Sequence, residues 1–254
     1  MALRQAVGYA LRTHPLGEAD LIVEIFTRER GRIRGVARSA RRIRSRFGSA
    51  FEPFTRSRVV WFQKDKDDLG RISSCDIERS YFEDLGTVER ASIAAYLAEL
   101  VIGFTPEQDA APRVFRLIDV SLEAIAADVD PELVARYFEV WILRLSGLFP
   151  DLTHCSACGK PLAAEAWISD LTLELICGRS CGQVQGRRKL TAGARQLLVR
   201  MLKSPPQDLG IEGRDDSGQH LRALAAVNEV MICGHLDRVP RSLRVIRRLA
   251  RSRA

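Results

Sequence analysis

Two sets of side chains in this 254-residue chain have chemistry to offer, a cysteine quartet and an arginine cluster. The cysteines are spaced Cys155-x2-Cys158, then eighteen residues, then Cys177-x3-Cys181. Two tight turns brought together would give four thiolates, a tetrahedral donor set for Zn²⁺, with Gly159, Gly178 and Gly182 supplying the backbone freedom such turns need. Sulfur fills all four positions, which leaves no place for the water of a catalytic zinc, so the expected ion is structural. The competing reading is two ordinary thiol pairs. His154, beside the first pair, is either a substitute ligand or polar surface. Cys75 and Cys233 have no base or second thiol nearby in sequence and are expected as buried small side chains.

Between Arg28 and Arg58 lie eleven arginines and two acids, nine excess positive charges in 31 residues. Arg30, Arg32, Arg34 and Arg38 share one parity with Val36, while Ile33, Gly35 and Ala37 take the other, so a strand here has one cationic and one small apolar face. Guanidinium forks match phosphate oxygens and stack on bases, which points to a nucleic-acid backbone. Arg41, Arg42, Arg44 and Arg46 fall in Ser39 to Gly48, which has no apolar period and reads as a mobile basic loop. The chain holds 34 arginines and 5 lysines, so arginine preference is global; the clustering is what composition leaves unexplained. Like-charge blocks are usually solvated, but this one is interleaved with Ile33, Val36, Phe47, Phe51 and Phe54.

The totals exclude several classes. Residues 65–139 carry 17 acids and 7 bases, a net −10 within a chain of net +7, which reads as separate acidic and basic modules. No run of eighteen apolar residues and no export signal is present, so neither membrane insertion nor secretion is expected, and six cysteines in a reducing cytoplasm favour metal over disulfides. No GxxxxGK[ST], no HExxH and no H-x-E paired with P-C-x-x-C occurs, which removes support for an enzyme acting on nucleic acid. Asp65, Asp67 and Asp68 are expected in a turn rather than in a two-metal nuclease site.

These residues need elements to hold them. Alternation predicts strands at Val7–Leu11, closed by a turn at His14–Gly17, at Asp20–Thr27, from Gly31, at Arg56–Gln63 and at Leu69–Ile77. Five short strands in about 75 residues fit a five-stranded OB-fold barrel, which presents a strand face and loops to single strands, with Trp61, Phe62, Phe47, Phe51 and Phe54 as core or as stacking platforms. From Gly86 the period becomes helical. Stripes run over Ile93–Phe104, Val114–Ile125 and Val134–Leu148, with Asp130 as N-cap and Pro131 at the first helical position, and the acids on the solvated faces. Ala166–Ile176 is expected as the hairpin of a zinc ribbon. Helices return at Ala192–Lys203 and Gly218–His235, and the arginines after Pro240, from Arg241 to Arg253, form a second phosphate-facing strip or a solvated terminus. The expected class is α+β, with an N-terminal five-stranded OB-fold barrel, a helical bundle domain and an inserted four-cysteine zinc ribbon. Its divisions are 1–80 for the DNA-binding barrel, 81–150 and 189–254 for the two parts of the helical domain, and 151–188 for the ribbon.

Gly8 to Phe54, with Leu16-Gly17-Glu18-Ala19-Asp20, Phe26-Thr27, Gly31, Ala37-Arg38, Ala40-Arg41-Arg42, Ser45-Arg46 and Pro53-Phe54, resembles the N-terminal domain of the bacterial RecO family, and Leu145 to Gly159 is similar to that family's approach to its first cysteine pair. The resemblance implies a non-enzymatic DNA repair and recombination mediator. Such a protein binds single- and double-stranded DNA, anneals complementary strands, and works with RecR to load RecA onto strands coated by single-strand-binding protein. It implies a cytoplasmic, nucleoid-associated protein with no small-molecule substrate and no membrane. By the same resemblance Arg32, Arg34, Arg38, Arg41, Arg42 and Arg46, with neighbouring Arg44, fall on the DNA-binding surface, and Cys155, Cys158, Cys177 and Cys181 on the Zn²⁺ ribbon. Ser39 stands where the family often has glycine, and the second pair has three intervening residues where two are commoner. An RNA-binding module and, less well supported, a nuclease are the alternatives.

Overall fold

A computed structural model describes residues 2–64, 69–169, 172–178, 181, 187–210 and 215–251. Asp65, Asp67, Asp68, Gly182 and Arg253 lie outside the described residues. By compactness the chain forms one unit of residues 1–122 with 245–254 and a second of residues 123–244.

The first unit contains strands β1 (Ala2–Leu16), β2 (Asp20–Thr27), β3 (Gly31–Ala37), β4 (Arg56–Gln63) and β5 (Gly70–Arg79). They close into a barrel of order β1-β2-β3-β5-β4, antiparallel except where β3 meets β5 at Gly35↔Gly70 and Val36↔Arg71. Period-two alternation places Val23, Ile25, Ile33, Val59, Trp61 and Ile72 in one buried cluster at the barrel centre. Gly35 permits the closure, because a Cβ there would stand 2.5 Å from Ile72 Cδ1.

β1 runs past the expected turn. His14, Pro15 and Leu16 pair with Ile22, Leu21 and Asp20, and a bulge at Leu11 shifts the register, so that Tyr9, Ala10 and Leu11 are all buried. β2 is buried on both faces from Val23 to Thr27. One face fills the barrel; the other meets Phe115 of helix α2 (Pro112–Ala126), whose ring lies 5.1 Å from Tyr9 and 6.4 Å from Phe26. Tyr9 Oη donates to Asp119 of the same helix, and burial together with that carboxylate raises the phenol above its usual range. Helix α1 (Val88–Phe104) starts at Thr87, whose hydroxyl accepts from Arg90 N.

The crossing between α1 and α2 is fastened to β3. Gln108 N donates to Arg32 O at 2.9 Å, and Arg32 bridges to Glu107 in parallel. Gly31, at φ 62°, makes this possible, since a Cβ there would fall 1.8 Å from Asp109 O. Gly31→Ala is therefore expected to lose about 2 kcal/mol from left-handed strain and displacement of the crossing, read as a lower urea midpoint.

The second unit contains helices α3 (Pro131–Leu145), α4 (Ala192–Met201) and α5 (Asp215–Leu236) and a small sheet of β6 (Ala166–Ser169), β7 (Leu175–Ile176) and β8 (Arg187–Leu190) in the order β7-β6-β8. Asp130 caps α3 as expected, accepting from Glu132 N. α3 packs on α4 and α5, and Trp141 donates its indole N–H to Met201 O at 3.0 Å. At this packing Arg136, Glu139 and Asn228 are buried together. Arg136 Nη2 stands 2.8 Å from Glu139 Oε1, and Asn228 Nδ2 donates to Glu139 Oε2 at 3.0 Å.

Candidate nucleic-acid interface and metal centre

β3 presents Arg32, Arg34 and Val36 outward, as its alternation requires. The two arginines are not left to water. Arg32 keeps 13% of its side-chain exposure, with Nη1 3.3 Å from Glu107 Oε1 and 3.7 Å from Glu24 Oε2, and its Nε donates to Thr105 O at 3.4 Å. Arg34 Nε lies 3.1 Å from the same Glu107 oxygen. Glu24, itself buried, also accepts from Arg12 at 2.9 Å. A carboxylate at that depth must be paired, so part of the positive charge on β3 is committed to the fold.

The pattern repeats on β4. Arg56 lies 3.3 Å from Glu78 and 3.2 Å from Asp119, and Arg58 lies 3.2 Å from Glu78. The acids of residues 65–139 were expected on solvated faces of a separate module; Glu78, Glu107 and Asp119 instead neutralise barrel arginines within one unit. The partners are 20 to 75 residues apart, beyond the reach of local pattern.

What stays open is the β3–β4 connection. Arg38, Arg41, Arg42, Arg44 and Arg46 are exposed, and among the described residues none pairs with a carboxylate. The loop was expected to be mobile, but it is a chain of turns tied to the barrel. Ser39 N donates to Asp20 Oδ1 at 2.7 Å, Arg41 N to Ala19 O at 3.0 Å, and Arg41 Nη1 to Gly17 O and Glu18 O, each at 3.1 Å. Phe47 anchors it, 2% exposed in the barrel core with Arg46 4.8 Å above its ring. Ser39 sits at φ 58°, a left-handed conformation that accounts for glycine being at home in this position. Of the aromatic candidates, Trp61, Phe47 and Phe54 are core and Phe51 packs against it; Phe62 faces outward, half-buried.

The four cysteines converge, all four Sγ lying within 4.8 Å of one another. Cys155 Sγ is 3.6 Å from Cys181 Sγ, and Cys158 Sγ is 3.8 Å from Cys177 Sγ. Four sulfurs around Zn²⁺ at ~2.3 Å sit about 3.8 Å apart, so the donor set fits that ion. Burial opposes ionisation of the Cys155 thiol, but N–H groups of Cys158, Cys177 and Ala157 aimed at the sulfur bring it down to about 6, a thiolate ready for a cation. His154 turns instead to Asp151 and Thr153 and is not a ligand. The expected hairpin is there as β6 and β7; β8, too basic to read as a strand, adds the third. Cys75 and Cys233 are half-buried rather than buried, and burial pushes the Cys75 thiol up to about 12.

On α6 (Arg241–Arg251) Leu243 is buried and Arg241, Arg244, Arg247 and Arg248 are exposed. No helix among the described residues is long and apolar enough to cross a membrane.

Two family models match the chain, "Recombination protein O N terminal" over residues 1–81 and "Recombination protein O C terminal" over residues 85–231. Among similar proteins, "DNA repair protein RecO" of Koribacter versatilis is 35% identical over 206 residues, 80% of this chain and 82% of that protein. The protein of the same name from Desulforudis audaxviator is 30% identical over 245 residues, 96% of both chains.

Proposed function

This chain belongs to the recombination protein O family, and on that premise we propose that it is a non-enzymatic mediator of DNA repair and recombination. It binds single- and double-stranded DNA and anneals complementary strands. With RecR it loads RecA onto strands covered by single-strand-binding protein, in the cytoplasm at the nucleoid. The observation that carries this reading is the row of exposed arginines, Arg38, Arg41, Arg42, Arg44 and Arg46, held on an ordered loop beside the barrel. Guanidinium groups laid along two strands lower their mutual repulsion, so pairing speeds up without nucleotide hydrolysis. We take residues 1–80 as the DNA-binding division, 81–150 with 189–254 as the helical division, and 151–188 as the ribbon.

Annealing of complementary oligonucleotides, followed by fluorescence quenching, tests it. If about five phosphates are neutralised, log K for a single strand falls against log salt with a slope near −3.5. A flat salt response, or release of nucleotides from a labelled strand, would sink the reading. Competition between DNA and RNA of equal length decides against the RNA-binding alternative.

For the ribbon we propose structural Zn²⁺ held by Cys155, Cys158, Cys177 and Cys181. Bound there, the ion cross-links the two thiol turns. The Cys177 N–H, which donates to Cys155 Sγ at 3.3 Å, helps to orient the sulfurs. Elemental analysis should find one zinc per chain, and Cys158→Ser with Cys181→Ser should abolish it and lower the melting temperature of the second unit while single-strand affinity persists.

A further inference from the structure

One end of the barrel holds a cleft of about 310 Å³ that shares only Arg38 with the arginine loop. It opens where β3 and β4 end and β5 begins, and its wall carries Phe62, Val36 and Leu69 together with three cations, Arg38, Lys64 and Arg71. Phe62 and Arg71 are cross-strand partners on β4 and β5, so ring and guanidinium share one outward face. Leu69 is 38% exposed, an apolar side chain left at the rim. Asp20 is the acid among the lining residues, and its Oδ1 already accepts from Ser39 N. The combination is an apolar floor with an aromatic ring, ringed by positive charge.

Its size lies at the lower limit of small-ligand sites, roughly 300–1,000 Å³. A duplex keeps its bases stacked and paired and offers nothing to such a floor. A single strand can turn one base out of its stack onto an aromatic side chain while its phosphates meet flanking cations. We propose that this cleft takes one unstacked nucleotide of a single strand, its base against Phe62 and its phosphates near Arg38, Lys64 and Arg71. The inference rests on the DNA-binding reading and deepens it. The arginine loop grips any polyphosphate, whereas the cleft gives single strands a contact that duplex lacks. Lys64, Arg71 and Leu69 escaped the sequence reading because they flank a turn, far from the arginine cluster.

The test uses the full chain and fluorescence anisotropy on oligo-dT and on a duplex of equal length, across a salt series. Phe62→Leu should weaken oligo-dT binding roughly tenfold with the salt slope unchanged, because stacking and not charge is lost. Duplex affinity should stay as it was, and Phe62→Trp should restore oligo-dT binding. Arg71→Ala should make the single-strand slope shallower by about 0.7. In a second measurement, ultraviolet cross-linking of a strand carrying 5-iododeoxyuridine should place the adduct on a peptide containing Phe62. Equal losses on both DNAs from Phe62→Leu, or adducts confined to other peptides, overturn the cleft while leaving DNA binding intact. Wild type that binds neither DNA overturns both. Thermal melting of each variant identifies any loss that comes from unfolding, and the cross-link on wild type decides the matter without a substitution.

Discussion

Changing Arg38, Arg41, Arg42 and Arg44 together to alanine should cut affinity for single-stranded DNA several hundredfold at 0.1 M salt and nearly abolish strand annealing. Each phosphate contact on a single strand adds about −0.7 to the salt slope, or about fivefold in affinity at that salt, so four lost contacts compound to roughly six hundredfold. The same variant should have a slope shallower by about 2.8 and only a slightly lower melting temperature, because these side chains are exposed and form no ion pair among the described residues, and Arg41 gives up its bonds to Gly17 O and Glu18 O. Arg32 and Arg34 provide the contrast. Both are held by Glu107, and Arg32 also faces the buried Glu24, so Arg32→Ala should lower stability and shift the slope little. Were the loop variant to bind as wild type does, the exposed arginines would be solvated bystanders.

The second large effect belongs to the fold. Glu139→Ala should destabilise the second unit by about 3–5 kcal/mol, since it leaves the Arg136 guanidinium buried without its carboxylate. Arg136 and Glu139 are 6% and 1% exposed, and Asn228, reaching across from α5, is 0% exposed and also loses its acceptor. Against total stabilities of about 5–15 kcal/mol for a domain this is enough to threaten folding. Exchanging the pair for apolar residues, Arg136→Met with Glu139→Leu, should recover part of the loss, because no charge is then stranded although Asn228 still lacks its acceptor. Urea denaturation followed by circular dichroism distinguishes the two, and a double variant as weak as the single one would refute the account.

The elements were legible where burial imposes a clean period. Strand β4 falls at Arg56–Gln63 as its alternation required, and the Asp130-Pro131 start of α3 was plain from capping chemistry. The convergence of the thiol quartet was readable from spacing, since two close pairs on tight turns can supply a four-sulfur donor set before any fold is known. β1 was misjudged at its end because the bulge at Leu11 and the pairing through Pro15 break the period that marks a strand. The ion pairs were invisible for another reason: Arg32 meets Glu107 only once the chain has folded around the barrel. Parity could show that Arg32 and Arg34 face outward; it could not show that acids would be waiting there. The loop kept its exposed charge, and of the two readings open for Phe47, core or stacking platform, the structure has core: it plugs into the barrel and holds the loop in place.

The crossing that lies along β3 has a consequence for how the barrel can be isolated. Among the described residues β3 meets β5 at Gly35 and Val36 alone, so its first half would otherwise show an unpaired row of amides and carbonyls. Gln108 and Glu107 meet that row at Arg32. A fragment cut near residue 80 would lack that contact, expose a sticky margin beside Arg34 without Glu107 and Arg32 left with Glu24 alone, and invite neighbouring copies to add strands there. A piece reaching past Asp109 should keep that contact and stay monomeric where one ending near residue 80 associates, so a segment that contributes no strand guards the edge of the barrel.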